Sequence, residues 1–431
     1  MTIIKAVRGT RDLLPAETAL WNRIETTARQ VFARYNFGEI RTPLFEDTAL
    51  FARSVGEETD IVSKEMYTWE DRARAQSEKT QSLTLRPENT AGVVRAYIEH
   101  GLGESGQLQK LYYIGPQFRR ERPQKGRYRQ FSQIGAEVIG PPSSGSESPL
   151  RDAEVLEMLA TLLDELGITG WTLELNSVGS AADRARYNDA LRAALAPVVG
   201  QMCVDCQRRA VTNPLRVLDC KVPADQPIID TLPVIADSLD GASRAHFAAV
   251  TAALDAAGVA YTLNHRLVRG LDYYTRTTFE FTHGGLGAQN ALLGGGRYDG
   301  LSEAIGGPKA PGIGFAMGED RLVLTLQALE SAQKLLKADA FIASLGETLN
   351  PAALALAREL RQAGLRIELG EGSFRLKKSF EAADKSARAI VILGEDELQS
   401  GILTVKTFST GAQTKVPRAE LAAFLNNGSQ V

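Results

Sequence analysis

The stretch RGLDYYTRTTFEF, residues 269–281, combines a strand-like pattern with many polar side chains. Alternate residues from Leu271 to Phe281 are leucine, tyrosine, threonine or phenylalanine, as on the buried face of a β-strand. The residues between them are polar: Asp272, Tyr274, Arg276, Thr278 and Glu280. Arg269 stands at the entrance to this strand, beside Gly270. Because buried polar groups need partners, we predict that water or a ligand covers the second face.

A second segment of this kind, YYIGPQFRRERPQKGRYRQFSQIGAEVIG, covers residues 112–140. If it forms an antiparallel hairpin, alternate residues from Tyr113 to Glu121 and from Arg129 to Glu137 share one face. That face carries arginine, glutamine, phenylalanine and glutamate side chains, so it either binds a ligand or is solvated. The connecting segment, residues 119–129, holds six Lys/Arg and one Glu.

Two glycine-containing segments follow. LLGGGRYDG, residues 292–300, lets backbone approach a small ligand closely or marks a plain turn. APGIGFAMGEDRLVLTLQ, residues 310–327, predicts a strand running into a helix, with Arg321 near the helix start. Arg321 either meets a ligand or forms an ion pair with Glu319 or Asp320.

Three arginines, Arg119, Arg269 and Arg321, thus lie on elements that could line one antiparallel sheet. Arginine offers forked donors that match phosphate oxygens, so this group favours a polyphosphate site. The sequence contains no recognisable pairing of a nucleophile with a base. Adenylate formation needs none, because a substrate carboxylate is already a nucleophile.

The 431 residues are enough for two or three domains. We predict a catalytic domain over residues 1–325, interrupted by an alanine-rich helical insertion over residues 180–255. Strand and helix patterns alternate over residues 337–431, which indicates a small α/β domain. No apolar stretch approaches the roughly 18 residues of a membrane span. The first residues are charged where a signal peptide would be apolar, so we expect a cytoplasmic protein.

The net charge of −3 argues against non-specific nucleic-acid binding, so a polyanion must be met locally. Three cysteines, Cys203, Cys206 and Cys220, are too few for a disulfide framework. They supply three soft ligands where a structural zinc site usually has four, and their segment holds no histidine. We therefore assign no metal site, leaving open whether these cysteines bind zinc.

The chain resembles the bacterial histidyl-tRNA synthetase family, within the class II aminoacyl-tRNA synthetases, along essentially its whole length. The segments that carry the resemblance are RGTRDLLP, TLRPENTAG, FRRERPQKGRYRQF, RGLDYYTRTTFEF, GGGRYDGL and GIGFAMGEDRL, in this order. It implies an α+β catalytic domain with a mostly antiparallel sheet flanked by helices, and a C-terminal anticodon-binding domain. It also implies that EIRTPLF, a single strand around Pro43, lies at a homodimer interface.

The resemblance implies that L-histidine and ATP form histidyl-adenylate and pyrophosphate, and that the histidyl group then passes to the 3′ end of tRNA-His. Mg²⁺ is expected with ATP, held mainly by the phosphates. By motif, Arg119 is similar to the arginine at the α-phosphate and Arg321 to that at the γ-phosphate. Arg269 resembles the arginine that polarises the α-phosphate, Glu121 the adenine contact and Phe131 the ring stacked on adenine.

The resemblance also assigns a histidine pocket and a tRNA contact. The residues implied for the α-amino group are Glu88, Thr90 and Gln133. Glu137 and Tyr274 are implied to read the imidazole, which presents one donor and one acceptor when neutral, with Tyr298 in the same wall. The residues implied at the tRNA acceptor end are Arg122, Gln124, Lys125 and Arg127.

Two departures from the family pattern stand out. Asn89 replaces a usual glycine beside Glu88, and Asp320 replaces a usual glutamate before Arg321. An alternative is the non-catalytic regulatory subunit of a short ATP phosphoribosyltransferase, a paralogue that resembles only the catalytic domain. The retained arginines, the basic loop and the C-terminal domain argue against it. Another class II synthetase would leave RGLDYYTRTTFEF unexplained.

Overall fold

The computed structural model describes residues 3–56, 59, 61–71, 80–124, 126–271, 273–286, 290–329 and 337–427. The chain divides into two compact units, Met1–Ala332 and Gln333–Val431. Among the described helices, none has both the length and the apolar character that a bilayer span requires.

The first unit contains ten α-helices and eleven strands among its described residues. The helices are α1 (Pro15–Arg34), α2 (Thr48–Val55), α3 (Thr90–Glu99), α4 (Pro149–Glu165), α5 (Ala181–Leu195), α6 (Val204–Thr212), α7 (Gln226–Ile229), α8 (Gly241–Ala257), α9 (Leu301–Ala304) and α10 (Glu319–Ala328). The strands are β1 (Gly38–Glu39), β2 (Phe45–Asp47), β3 (Tyr67–Asp71), β4 (Gln81–Leu85), β5 (Gln109–Phe118), β6 (Gln130–Ile139), β7 (Trp171–Ser177), β8 (Thr262–Leu263), β9 (Thr275–His283), β10 (Ala291–Arg297) and β11 (Gly312–Gly318).

Eight strands form the main sheet, in the order β1-β5-β6-β11-β10-β9-β7-β8. The neighbours are antiparallel except at the two edges, where β1 pairs with β5 and β7 with β8 in parallel. The predicted mostly antiparallel sheet is thereby confirmed. β5 and β6 form the predicted hairpin, with Tyr113 opposite Gly135 and Gln117 opposite Phe131. Directly opposed residues share a face, so the polar side chains of both strands lie together.

One face of this sheet is covered by α1 and α4. Phe279 and Phe281 of β9 and Phe315 of β11 belong to the same buried core as Phe32 of α1 and Leu159 of α4. Because this face is filled by apolar side chains, the polar residues that alternate with them point to the opposite face. The site is therefore built on that second face.

The prediction of one strand in EIRTPLF is wrong. β1 ends at Glu39 and pairs in the main sheet, whereas β2 begins at Phe45 and belongs to a separate three-stranded sheet, β2-β4-β3. Pro43 lies between them. Proline has no backbone N–H to donate to a ladder, so the segment changes sheets there.

The residues between β7 and β8 fold as helices and short 3₁₀ turns. α5 and α6 contribute to a separate apolar core that includes Tyr187 and Leu191. α8 differs, since its Val250 and Leu254 are buried in the main core. Its His246 also lies 2.8 Å from the buried Asp152 of α4.

The second unit is a five-stranded mixed sheet with helices, in the strand order β13-β12-β14-β15-β16. Its elements are β12 (Ala340–Ser344), α11 (Asn350–Gln362), β13 (Ile367–Leu369), α12 (Leu376–Ser386), β14 (Ala389–Leu393), α13 (Glu395–Ser400), β15 (Ile402–Thr407), β16 (Gln413–Pro417) and α14 (Leu421–Asn427). The predicted alternation of strands and helices is present. Two of these elements, α13 and β16, are short and mostly polar, so neither carries a clear apolar period in the sequence.

Candidate active site

A buried glutamate lies at the centre of the polar face of the main sheet. Glu137 of β6 is fully buried and accepts hydrogen bonds from the Thr90 hydroxyl at 2.8 Å and the Tyr298 hydroxyl at 2.7 Å. Burial raises the pKa of Glu137 to about 8, and the nearby Glu88 adds to this rise. The structure thus joins three of the predicted histidine-pocket residues directly.

Tyr274 and Tyr273 both lie beside this glutamate. Their rings are 4.7 Å apart, and the Tyr273 ring lies 5.9 Å from that of Tyr298. Burial raises the pKa of Tyr274, while the neighbouring Arg269 opposes and Glu137 adds to the rise. Tyr274, Arg269 and Glu137 are therefore close neighbours.

The sequence pattern placed Tyr273 on the apolar face, which is wrong. β9 begins only at Thr275, and its pairing with β10 is interrupted beside Arg276, where φ is 48°. The rule of alternating faces applies only within a regular strand, so it does not extend back to Tyr273. The break brings both tyrosines to one site, and only the second was predicted there.

Three glycines create the space in which these side chains lie. A Cβ on Gly314 would stand 1.7 Å from Oε2 of Glu137, and one on Gly296 would stand 2.8 Å from the Tyr274 ring. A Cβ on Gly294 would lie 2.5–2.6 Å from the guanidinium of Arg269. The glycines of LLGGGRYDG therefore lie in a strand, and the absence of their side chains leaves room for the side chains of neighbouring elements. The alternative of a plain turn is wrong for these glycines.

Arg269 lines a cavity of about 860 Å³ together with Arg119, Glu121, Arg127 and Glu280. Its Nη1 donates to Glu280 at 2.7 Å, while its Nε has no hydrogen-bond partner among the described residues. The cavity therefore holds cationic groups whose donors are only partly used.

Arg119 connects this cavity to a smaller one, of about 150 Å³, which Phe131, Gln133 and Arg321 also line. Nε of Arg119 donates to the Pro87 carbonyl at 2.9 Å, and its guanidinium lies 5.3 Å from the centre of the Phe131 ring. The Phe131 ring thus gives the smaller cavity a flat aromatic wall on which a planar base can stack.

Arg321 completes the group of three arginines. Its Nη1 donates to the Ala291 carbonyl at 2.6 Å. Burial lowers the pKa of Arg321, and the like charges of Arg127 and Arg269 lower it further. Glu280 and Glu121 oppose this lowering, and an anion in the cavity would compensate the positive charges further.

Asp320, the residue before Arg321, pairs with Arg11 at 2.9 Å. Arg11 also pairs with Glu17 at 2.7 Å and lies 4.8 Å from the centre of the Tyr128 ring. The opening segment RGTRDLLP thus contacts both the start of α10 and the hairpin. An ion pair of Arg321 with Asp320 was one of the alternatives in the sequence, whereas Arg11 carried no signal there because 309 residues separate it from Asp320.

Glu88 and Asn89 form the start of α3. Both oxygens of the Glu88 carboxylate accept backbone N–H groups, from Thr90 at 2.7 Å and Ala91 at 3.0 Å. Oδ1 of Asn89 accepts a hydrogen bond from Thr42 at 2.6 Å, and φ of Asn89 is −119°, which any residue adopts. The replacement of glycine at this position therefore leaves the backbone unstrained.

Several buried polar atoms in this region have no partner among the described residues. They are both amide atoms of Gln117, Oε1 of Gln133, the Thr278 hydroxyl and the Tyr113 hydroxyl. Gln117 and Tyr113 were not assigned a role from sequence, although their place in the alternation of β5 put them on the polar face. Orphaned buried polar atoms in one region are expected where a polar ligand binds.

The basic loop of the hairpin is partly exposed. Arg122, Gln124 and Arg127 are exposed, and Arg127 pairs with Glu121 at 3.1 Å. Gln124 and Arg127 close a turn by two backbone hydrogen bonds of 3.1 and 2.9 Å. Lys125 and Asp272, which were also singled out from sequence, lie outside the described residues.

A mostly antiparallel sheet with three arginines at two cavities that share Arg119, beside a buried pocket of polar groups, matches the catalytic domain expected of a class II aminoacyl-tRNA synthetase. The family model of histidyl-tRNA synthetase matches residues 9–322, and that of the anticodon binding domain matches residues 339–428. The chain belongs to the histidyl-tRNA synthetase family.

Full-length relatives agree. The chain is 72% identical over 426 residues to a histidine–tRNA ligase of Koribacter versatilis (strain Ellin345), covering 99% of this chain and 96% of the relative. It is 56% identical to that of Solibacter usitatus (strain Ellin6076), covering 99% and 100%. The apo histidyl-tRNA synthetase of S. aureus matches with a TM-score of 0.80 at 37% identity, covering 98% and 100%. The function is therefore that of a histidine–tRNA ligase, and the regulatory paralogue is excluded.

Proposed function

We propose that the two cavities bind ATP and histidine so that the histidine carboxylate attacks the α-phosphorus. Arg119 and Arg269 contact the α-phosphate, and Arg321 contacts the γ-phosphate. The observation that carries this proposal is the convergence of the three arginines, with the pKa of Arg321 lowered partly by its cationic neighbours. Adenine stacks on Phe131 in the smaller cavity, with Glu121 at its edge.

The reaction breaks the bond between the α- and β-phosphates and forms a carboxyl–phosphate bond, with pyrophosphate leaving. No proton transfer is needed, so the barrier is electrostatic: an anion must approach an anionic phosphate. Arg269 lowers this barrier, because its guanidinium lines the cavity and brings positive charge to the developing anion. ATP enters as its Mg²⁺ complex, with the ion held mainly by the phosphates.

Histidine is read at the buried end of the site. Glu137 and Tyr274 bracket the imidazole, and a buried polar pocket rejects side chains that leave these groups unpaired. Thr90 and Tyr298 orient Glu137 through their hydroxyl groups. Gln133 and Glu88 take the α-amino group. Histidine-dependent pyrophosphate exchange tests this assignment. Replacement of Arg269 or Glu137 should abolish the exchange, whereas replacement of matched residues elsewhere should not.

We also propose that the loop of Arg122, Gln124, Lys125 and Arg127 contacts the acceptor end of tRNA-His. Arg122→Glu is expected to lower kcat/KM for tRNA in aminoacylation about tenfold, because a phosphate contact becomes repulsive. Histidine-dependent pyrophosphate exchange, measured without tRNA, should stay unchanged. Arg34→Glu, which reverses an exposed arginine on α1, serves as the control. Equal aminoacylation by the two variants would contradict the proposed contact.

The protein acts as a homodimer through the segment around Pro43. The support is a group of exposed apolar side chains beside it: Leu44, Phe45 and Trp69 are 45%, 51% and 40% exposed. We expect sedimentation equilibrium to give twice the mass of the 46.7-kDa chain. Phe45→Glu should shift the mass toward the monomer, whereas Val211→Glu, at an exposed position of α6, should not. A monomeric unmodified protein would refute this.

We also propose a division of the chain into domains. Residues 1–325 form the catalytic domain and residues 337–431 the domain that binds the anticodon. The helical insertion begins near residue 180, and the packing of α8 in the main core supports an end near residue 240 instead of 255. The cytoplasm is the proposed site of action, since all three cysteines are free thiols, as a reducing compartment favours.

A further inference from the structure

The three cysteines lie together in the helical region between β7 and β8, and a carboxylate joins them. The Sγ atoms of Cys203, Cys206 and Cys220 and a carboxylate oxygen of Asp225 all lie within 4.8 Å of one another. Cys206, Cys220 and Asp225 are buried. The sequence offered only three cysteines and no histidine, so the fourth ligand becomes visible only when the chain turns back at Asp225.

The distances between these atoms fit tetrahedral coordination of one metal ion. Zn–S bonds of about 2.3 Å at tetrahedral angles place two sulfurs about 3.8 Å apart. Sγ of Cys203 and Sγ of Cys220 are 3.9 Å apart, and Sγ of Cys220 lies 3.3 Å from Oδ2 of Asp225. Three sulfurs and one carboxylate match zinc in both softness and number of ligands.

The surroundings support anionic ligands. Cys203 is the N-cap of α6 and Cys206 lies in its first turn, where the helix dipole favours negative charge. The backbone N–H of Val222 donates to Sγ of Cys220 at 3.4 Å. The backbone N–H of Cys203 donates to both oxygens of Asp225, at 3.1 and 3.2 Å. Such outer contacts orient metal ligands.

We propose that Cys203, Cys206, Cys220 and Asp225 bind a structural zinc ion. The site holds a segment that reaches the catalytic cavity: Arg216, four residues before Cys220, donates to the backbone carbonyl of Arg269 at 3.1 Å. Cys220 itself lines the cavity with Arg269. The ion therefore fixes one wall of the adenylation site without contacting substrate.

Metal analysis of the full-length protein, purified without chelators, tests the proposal. We expect one zinc per chain, released when a mercurial reagent titrates the three thiols. When Co²⁺ is added to reduced protein from which a chelator has removed the metal, the absorption spectrum should show a thiolate charge-transfer band and tetrahedral ligand-field bands. A protein that contains no zinc and binds neither Zn²⁺ nor Co²⁺ after reduction overturns the proposal. So does a Cys203–Cys220 disulfide that persists in protein handled anaerobically.

Two variants and a matched control refine the test. Asp225→Asn keeps an oxygen that can accept from Cys203 but loses the charged ligand, so zinc affinity should fall by at least about tenfold. Cys206→Ser should abolish stoichiometric zinc. Asp205→Asn changes an exposed carboxylate between the first two cysteines and should leave the zinc content unchanged. Equal zinc affinity of Asp225→Asn and Asp205→Asn would exclude Asp225 as a ligand.

Chelation of the unmodified protein avoids the risk that a variant fails to fold. Because a structural ion binds only the folded state, its removal should lower the unfolding temperature by about 5 °C or more. The rate of histidine-dependent pyrophosphate exchange should fall with it, and both should recover when Zn²⁺ is restored. An unfolding temperature that does not respond to chelation would contradict a structural role.

Discussion

Arg269→Ala is expected to lower the rate of histidine-dependent ATP–pyrophosphate exchange more than about 100-fold, a loss of about 3 kcal/mol of transition-state stabilisation. Arg269 lies in the catalytic cavity, pairs with Glu280 and keeps one donor without a partner among the described residues. Its positive charge stabilises the transition state most, because the attacking carboxylate and the leaving pyrophosphate then both place negative charge at the α-phosphate. The effect should therefore fall mainly on kcat.

A close control is Arg151→Ala. The Arg151 side chain is 29% exposed against 22% for Arg269, it also pairs with a glutamate, and its Nε also lacks a partner in the described part of the chain. It lies on α4, outside the cavity, so exchange should stay within about twofold of the unmodified rate. Comparable losses in both variants would show that general destabilisation, not charge at the reacting phosphate, is responsible.

Gly294→Ala tests the same role by a second route. The added Cβ would stand 2.5–2.6 Å from the Arg269 guanidinium and would displace it without removing its charge. Gly300→Ala is the matched change, since a Cβ there meets nothing within 4 Å. Normal exchange by a well-folded Gly294→Ala protein would mean that the position of Arg269 is not critical.

The second large effect concerns substrate recognition. Glu137→Gln should lower kcat/KM for histidine about 100-fold or more while KM for ATP changes little. The fully buried carboxylate accepts hydrogen bonds from Thr90 and Tyr298. The side-chain nitrogen of glutamine cannot accept a hydrogen bond. In Glu137→Gln, one of the two hydroxyl groups and the bound imidazole therefore lose their hydrogen-bonding arrangement. Steady-state exchange kinetics with histidine and ATP varied separately would measure both effects.

Glu319→Gln is the control for burial. Glu319 is also fully buried, and burial raises its pKa to about 8, as for Glu137. It lies at the start of α10, where the nearby charges are those of Glu25, Asp320 and Arg29. Its replacement should leave KM for histidine unchanged. If both variants lose histidine affinity equally, the loss comes from altering a buried carboxyl group and not from contact with the imidazole.

Sequence patterns alone determined which residues of the hairpin share a face, and the family resemblance implied the mostly antiparallel sheet. Regular alternation sends successive residues of β5 and β6 to opposite faces, so the sequence alone assigns Glu137 and Gln133 to one face. The three arginines were recognisable because arginine is seldom buried for packing alone, although the structure places none of them within a strand. Local rules failed where regularity stops, at Pro43 between two sheets and at Tyr273 before the bulge at Arg276.

Only the tertiary structure decided which groups meet. Glu137 bonds Thr90, 47 residues away, and Tyr298, 161 residues away; Arg11 meets Asp320 across 309 residues. Asp225 lies beside the three cysteines and supplies the fourth candidate ligand, which the spacing of the cysteines in the sequence did not reveal. Alternation and helical period describe residues near one another in the chain, whereas these contacts depend on how sheets and helices pack. A side chain's partner across such distances is set by the whole fold and carries no local signal.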